Sequence, residues 1–139
     1  MKREKIHYKS EEEISCIRTS SLLVSKTLAE VGKLIEPGVS TLKLDEVAEA
    51  FIRDHGATPA FKNHHPAFAE SPFPYSLCIS VNEEVVHGMP GAKKRLREGD
   101  IVSVDCGVKL NKYYGDSAYT FTVGSVSEEK KKLLIVTRE

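Results

Sequence analysis

Asp105 and Asp116 stand at the two ends of Asp105-Cys-Gly-Val-Lys-Leu-Asn-Lys-Tyr-Tyr-Gly-Asp116, where two β-type runs meet at a break near Leu110-Asn111. The break reads as a hairpin. A two-residue loop at Leu110-Asn111 would set Asp105 directly across the ladder from Asp116, with Cβ atoms about 4.5–5.5 Å apart. Two carboxylates that close repel unless a proton or a cation lies between them. Leu-Asn is not a favoured tight-turn pair, so a longer loop with a shifted register stays open. Val102, Val104, Cys106 and Val108 share the opposite, apolar face of their strand, which leaves Asp105 with Ser103 and Gly107 on a polar face or cleft. Hard oxygen ligands on a rigid hairpin suit divalent cations, and two aspartates can begin a two-metal site. The spacing fits equally a pair of solvated edge-strand or turn aspartates, and alone it does not choose.

His87, in Val85-Val86-His87-Gly88-Met89-Pro90, ends a β-type run ahead of a Gly-x-Pro turn. A ring held there suits a hydrogen-bond donor or general acid, or a purely structural histidine. His64 and His65 are loop neighbours that seldom converge on one metal, and His7 and His55 read as surface or capping residues. Lys93-Lys94-Arg95-Leu96-Arg97 is a short solvated turn rather than a nucleic-acid site. Cys16, Cys78 and Cys106 are odd in number and widely spaced, without a CxxC, which argues against a disulfide scaffold or zinc ribbon.

These side chains need elements to hold them. Ser10-Glu11-Glu12-Glu13 is a capping box, and Ile14, Ile17, Val24, Leu28, Val31 and Ile35 recur at helical spacing. The pattern predicts a helix of about 25 residues ending at Pro37-Gly38. A second helix, capped by Thr41, would present Leu44, Val47, Ala48, Phe51 and Ile52 and close at Gly56, making an αα-hairpin. From Pro59 to Pro74, four prolines and the aromatics Phe61, Phe68 and Phe73 predict a long irregular loop. Strands are expected at Leu77 to Val81, Val85 to His87, Ile101 to Val108 and Tyr113 to Val123. A third helix starts after Ser127 and runs through Glu139 without a stop signal, as a frayed terminal helix or one cut within a longer protein.

The chain has 139 residues, twenty Lys+Arg against twenty Asp+Glu, and 40% apolar residues. Those values fit one globular domain, or part of one, and argue against a nucleic-acid footprint made of bulk charge, leaving only a local basic patch open. No run approaches the roughly 20 apolar residues of a membrane helix, and residues 1–9 lack the apolar stretch of a secretory signal. The composition reads as cytoplasmic, with no membrane and no DNA partner.

Three blocks in order resemble the type I methionine aminopeptidases: Cys78-Ile-Ser-Val-Asn-Glu-Glu-Val-Val-His87-Gly-Met-Pro90, Gly99-Asp100-Ile-Val-Ser-Val-Asp105, and Tyr114-Gly-Asp116-Ser-Ala-Tyr-Thr-Phe121. The segment Ile35-Glu-Pro-Gly-Val-Ser-Thr41 is similar too, so the likeness runs from about Ser10 to Glu139. The resemblance implies an α+β pita-bread fold, here its N-terminal half, with an αα-hairpin on a curved antiparallel sheet and residues 1–139 forming a single partial domain. It implies removal of the initiator methionine from nascent proteins, with the ribosome as a further partner, by two divalent metal ions (Co, Mn, Fe or Zn). Carried over, Asp105 chelates one metal, Asp116 bridges both, His87 contacts the substrate at the scissile amide, and Cys78 lines the methionine pocket. Phe61 to Phe68 would add to that wall, although this loop is longer than the family pattern. The remaining family ligands, a histidine and two glutamates, come from a second half that this sequence does not contain. The chain is therefore expected to be a truncated enzyme. A proline-specific peptidase of the same fold and a non-catalytic binding module are the other classes, the first disfavoured by the His-Gly-x-Pro block and the second by the retained aspartates.

Overall fold

The structure, a computed structural model, describes residues 6–67 and 69–138. The start of the charged N-terminal run, Phe68 of the long loop and Glu139 of the expected third helix lie outside the described residues.

Helix α1 spans Glu11–Gly32 and opens on the expected capping box: Ser10 Oγ accepts the Glu13 N–H at 3.2 Å, and Glu13 Oε2 accepts the Ser10 N–H at 2.8 Å. It ends before Pro37-Gly38. Leu34 and Ile35 donate instead to the carbonyls of Val31 and Gly32 at 3.0 and 3.3 Å, the tightened turn that closes a helix ahead of proline. Leu23, Val24, Leu28 and Val31 are buried, whereas Ile14, counted in the inward stripe, stands clear of the core at 39% exposure. Helix α2 spans Thr41–Asp54, and its N-cap is Ser40 rather than Thr41. Ser40 Oγ accepts the Lys43 N–H at 3.2 Å, because the Thr41 hydroxyl is engaged elsewhere, accepting the Gly91 N–H at 2.9 Å. Gly56 closes the helix in the left-handed conformation expected of it.

Four strands form one antiparallel sheet: β1 (Thr58–Pro59), β2 (Leu77–Val81), β3 (Ile101–Leu110) and β4 (Tyr113–Thr122). β4 pairs with β3 along its whole length, while β1 and β2 lie end to end on the other edge of β3. β1 was hidden at the head of the proline-rich loop. Its pairing with Val108 and Lys109 is non-local, and Pro59 is tolerated on an edge. Val85 to His87 is not a strand. Val85 and Val86 are 86% and 66% exposed, and a left-handed Asn82 turns the chain out of the sheet as soon as β2 ends.

The β3–β4 loop is Asn111-Lys112, with φ of 51° and 71° at the two positions, the backbone of a type I′ turn. This corrects the expected register. Leu110 stays in β3 opposite Tyr113, so Asp105 faces Ala118 and Asp116 faces Gly107. The slip moves each partner by two residues and preserves the pleat, so both aspartates still share one face as diagonal neighbours.

The helices cover the other face. Leu77 and Ile79 of β2 and Val102, Val104, Cys106 and Val108 of β3 are buried in one cluster with Leu23, Val24, Leu28 and Val31 of α1 and Leu44, Ala48 and Ile52 of α2. Helix α3 (Glu128–Arg138) begins at Ser127 as expected, buries no residue, and is tied down by Lys130 Nζ donating to Gly99 O at 2.7 Å. Among the described residues, no helix is long and apolar enough to cross a membrane.

Candidate active site

On the face away from the helices, the pleat of β3 and β4 aligns Asp105 and Asp116, and β2 adds Cys78 directly opposite Asp105. The cavity above them has a volume of about 760 Å³. Its lining brings together all four residues picked from the sequence, Cys78, His87, Asp105 and Asp116. Phe61, Phe73 and Met89 make much of the wall.

The carboxylates sense one another. Burial first, and then the charge and hydrogen bond of Asp116, push the Asp105 carboxyl above the ordinary range, while His87 pulls it the other way. Burial, followed by the charges of Asp105 and Asp116, pushes the Cys78 thiol up to about 11. Cys78 thus presents a neutral sulfur to the cavity at physiological pH.

Gly107 sits across the ladder from Asp116, and its missing side chain is where Phe61 fits. A Cβ there would stand 2.6 Å from Phe61 Cε1. The loop bearing Phe61 is fastened to α2. Lys62 Nζ bonds Glu49 Oε2 at 2.5 Å, Ser76 Oγ bonds the same oxygen at 3.1 Å, and Asp45 Oδ1 accepts the N–H groups of Ser76 and Leu77 at 2.9 and 2.8 Å. A loop with little regular structure is thereby held at both ends against a helix.

The two loop histidines diverge. His64 lines the cavity, with its carbonyl accepting the Phe73 N–H at 2.8 Å, whereas the His65 ring pairs with Ala69 O at 3.0 Å. Tyr114 and Met89 were not singled out from the sequence, yet both line the cavity. For Tyr114 the period-two pleat is the signal, since two positions along β4 place it on the same face as Asp116.

Whether these residues fit a divalent metal rests on their donors. Two adjacent carboxylates, one with a raised proton affinity, form a hard, acceptor-rich pair that a cation would stabilise. Among the described residues, no group of three or more His, Cys, Asp and Glu side chains converges to complete a shell. The pair fits part of a metal centre.

An αα-hairpin on an antiparallel sheet, with a carboxylate pair in the cavity on its other face, fits the metallopeptidase class. The sequence profile of metallopeptidase family M24 matches residues 15–139, and the chain belongs to that family. It is 47% identical over 131 residues to methionine aminopeptidase 1 of Bacillus subtilis, covering 94% of this chain and 50% of that protein. It is 48% identical over 133 residues to the methionine aminopeptidase of Borreliella burgdorferi, covering 96% of this chain and 50% of that protein. The crystal structure of methionine aminopeptidase from Rickettsia prowazekii superposes with a TM-score of 0.90 at 34% identity, over 96% of this chain and 51% of the other. A Xaa-Pro dipeptidase from Bacillus anthracis gives a TM-score of 0.73 at 23% identity, over 89% of this chain and 32% of the other, which shows a shared fold. The architecture is the expected α+β pita-bread fold. The chain spans about half the length of the curated relatives it matches.

Proposed function

We propose that this chain is the N-terminal half of the catalytic domain of a methionine aminopeptidase, which removes the initiator methionine from nascent proteins in the cytoplasm. The observation that carries the reading is the convergence of Asp105, Asp116, His87 and Cys78 on one cavity, in a chain 47% identical to an enzyme of that name. The identity to proteins named methionine aminopeptidase, against 23% for the dipeptidase, favours methionyl over prolyl substrates.

In this reading Asp105 and Asp116 hold two divalent metal ions, with further ligands from a part of the protein beyond these residues. The metals, of the Co, Mn, Fe or Zn class, would supply the Lewis acidity that polarises a peptide carbonyl and acidifies water. The protein's own groups do the rest. His87, at the cavity wall beside Asp105, donates a hydrogen bond to the scissile amide. Phe61, Phe73, Met89 and the neutral Cys78 sulfur give a soft, apolar wall that accepts an unbranched thioether and keeps water away.

The test is release of methionine from a Met-Ala-Ser peptide by the protein as its gene encodes it, supplied with Co²⁺, Mn²⁺, Fe²⁺ or Zn²⁺. Hydrolysis that is lost in Asp116→Asn, together with metal occupancy, supports the reading. Cleavage of Xaa-Pro peptides with no release of methionine would replace it with the prolyl enzyme.

A further inference from the structure

The segment that carries His87 has little of its own to hold it in place. After β2, Asn82 turns in a left-handed conformation, and Val85, Val86 and His87 are all exposed. His87 is itself left-handed, with φ of 58°, a conformation that a non-glycine residue keeps only where its surroundings impose it. The imposing contacts come from the next residue. Gly88 is buried against β2 so closely that a Cβ would stand 2.2 Å from Ile79 O, and its carbonyl accepts the Ile79 N–H at 2.7 Å. Its N–H donates to Ser80 Oγ at 3.0 Å.

That second bond has a geometric consequence. The Gly88 N–H belongs to the peptide plane that joins His87 to Gly88. With that plane held, only rotation about the Cα–C bond of His87 is left to decide where its Cβ points, and the left-handed basin that His87 occupies keeps that rotation narrow. Ser80 is 4% exposed and lies on the same sheet face as Cys78 and Asp105. The serine opposite it in the ladder, Ser103, spends its hydroxyl on Thr120 Oγ1 at 2.8 Å and has no part in the turn.

We propose that Ser80 is a positioning residue, whose hydroxyl locks the His87–Gly88 peptide and so aims the His87 imidazole into the cavity that holds Asp105 and Asp116. The inference rests on the reading of His87 as a substrate-contacting group, but the lock itself is a property of the fold.

Three measurements on the protein as its gene encodes it test the lock. In the unmodified protein the Gly88 amide should exchange with solvent far more slowly than those of Val85 and Val86. Equal exchange rates would mean that the bond to Ser80 does not hold, and would overturn the proposal. In Ser80→Ala the backbone ¹³C shifts of His87 should leave their left-handed values and its ring resonances should broaden, while Ser80→Thr and Ser103→Ala keep the native pattern. Unchanged His87 signals in Ser80→Ala, or a threonine variant indistinguishable from the alanine one, would also overturn it. On a Met-Ala-Ser peptide, Ser80→Ala should lower kcat about tenfold with KM within about twofold, and threonine should restore it. If the unmodified protein releases no methionine, the functional reading fails, while the exchange rates and His87 signals still decide the role of Ser80.

Discussion

At the scale of single residues, local electrostatics separates groups that look alike in the sequence. Cys78 and Cys106 pair with neighbouring positions of the β2–β3 ladder but face opposite sides of the sheet, one lining the cavity and one inside the core. Burial pushes both thiols up, Cys78 to about 11 and Cys106 to about 12. Iodoacetamide should therefore leave both nearly unmodified at neutral pH while labelling the partly exposed Cys16, as peptide mapping by mass spectrometry would show. Rapid alkylation of Cys78 at pH 7 would contradict the buried, doubly acidic surroundings described for it. Asp45 makes a second case. It is 3% exposed, and its Oδ1 accepts two backbone N–H groups at the start of β2. Desolvation outweighs those bonds and raises its carboxyl above the usual range. A raised carboxyl means that the folded state binds the proton more tightly than the unfolded chain. The contribution of Asp45 is thus most favourable below its unfolded value and is lost as pH rises through the folded one. Asp45→Ala should cost about 2–4 kcal/mol by leaving two buried donors unpaired. Asp45→Asn keeps an acceptor oxygen and should cost much less, while removing this pH dependence. Urea unfolding from pH 4 to pH 7 would check both.

At the scale of elements, what was legible in the sequence was whatever depends on near neighbours. The capping box at Ser10 and Glu13, the Gly56 terminus and the apolar pleat of β3 are local patterns, and each is present. The shared face of Asp105 and Asp116 was legible for a stronger reason, since parity survives a slip of the turn. The turn itself was not, because neither Leu110-Asn111 nor Asn111-Lys112 contains the glycine that marks a type I′ loop. Lys112 sits left-handed at φ 71° without a glycine's freedom, so Lys112→Gly should relieve strain and stabilise the hairpin by about 1 kcal/mol, read as a higher urea midpoint. β1 and the non-strand at Val85 to His87 were missed because both are decided by distant partners, Val108 and Lys109 for one and the Ile79–Gly88 contact for the other. Gly115 shows how close such packing runs. A Cβ there would stand 2.6 Å from the backbone of Ser20 and Ser21 in α1. Gly115→Ala must push the helix off the sheet one residue away from Asp116. It should destabilise the protein by about 1–3 kcal/mol, and a loss below 0.5 kcal/mol in thermal unfolding would show that the contact gives way freely.

At the scale of the whole molecule, the described residues leave two surfaces without a partner, and both bear on how the 139-residue polypeptide behaves by itself. β4 pairs only with β3 among the described residues, so its outer edge presents backbone groups along a ten-residue strand. Beside that edge, Tyr119 is 44% exposed, and α3 turns Leu133, Ile135 and Val136 outward at 57%, 59% and 60% exposure. Arg138 Nη2 on the Tyr119 hydroxyl at 2.7 Å brings the end of α3 to the same region. An open strand edge next to exposed apolar side chains favours association in water. The carboxylate pair proposed to bind metal is unfinished in the same sense, since Asp105 and Asp116 are joined by no third converging ligand among the described residues. The 139-residue polypeptide should therefore self-associate at micromolar concentration, bind Mn²⁺ or Co²⁺ only weakly, and release no methionine from a Met-Ala-Ser peptide. Light scattering, calorimetric titration and the peptide assay on one sample check the three together. Leu133→Lys with Val136→Lys should shift the scattering toward monomer and leave cation binding as weak as before, because those side chains lie on α3, away from the cavity. A monodisperse chain that binds Co²⁺ tightly and turns over peptide would show that the two aspartates of β3 and β4 need no ligands from beyond these residues.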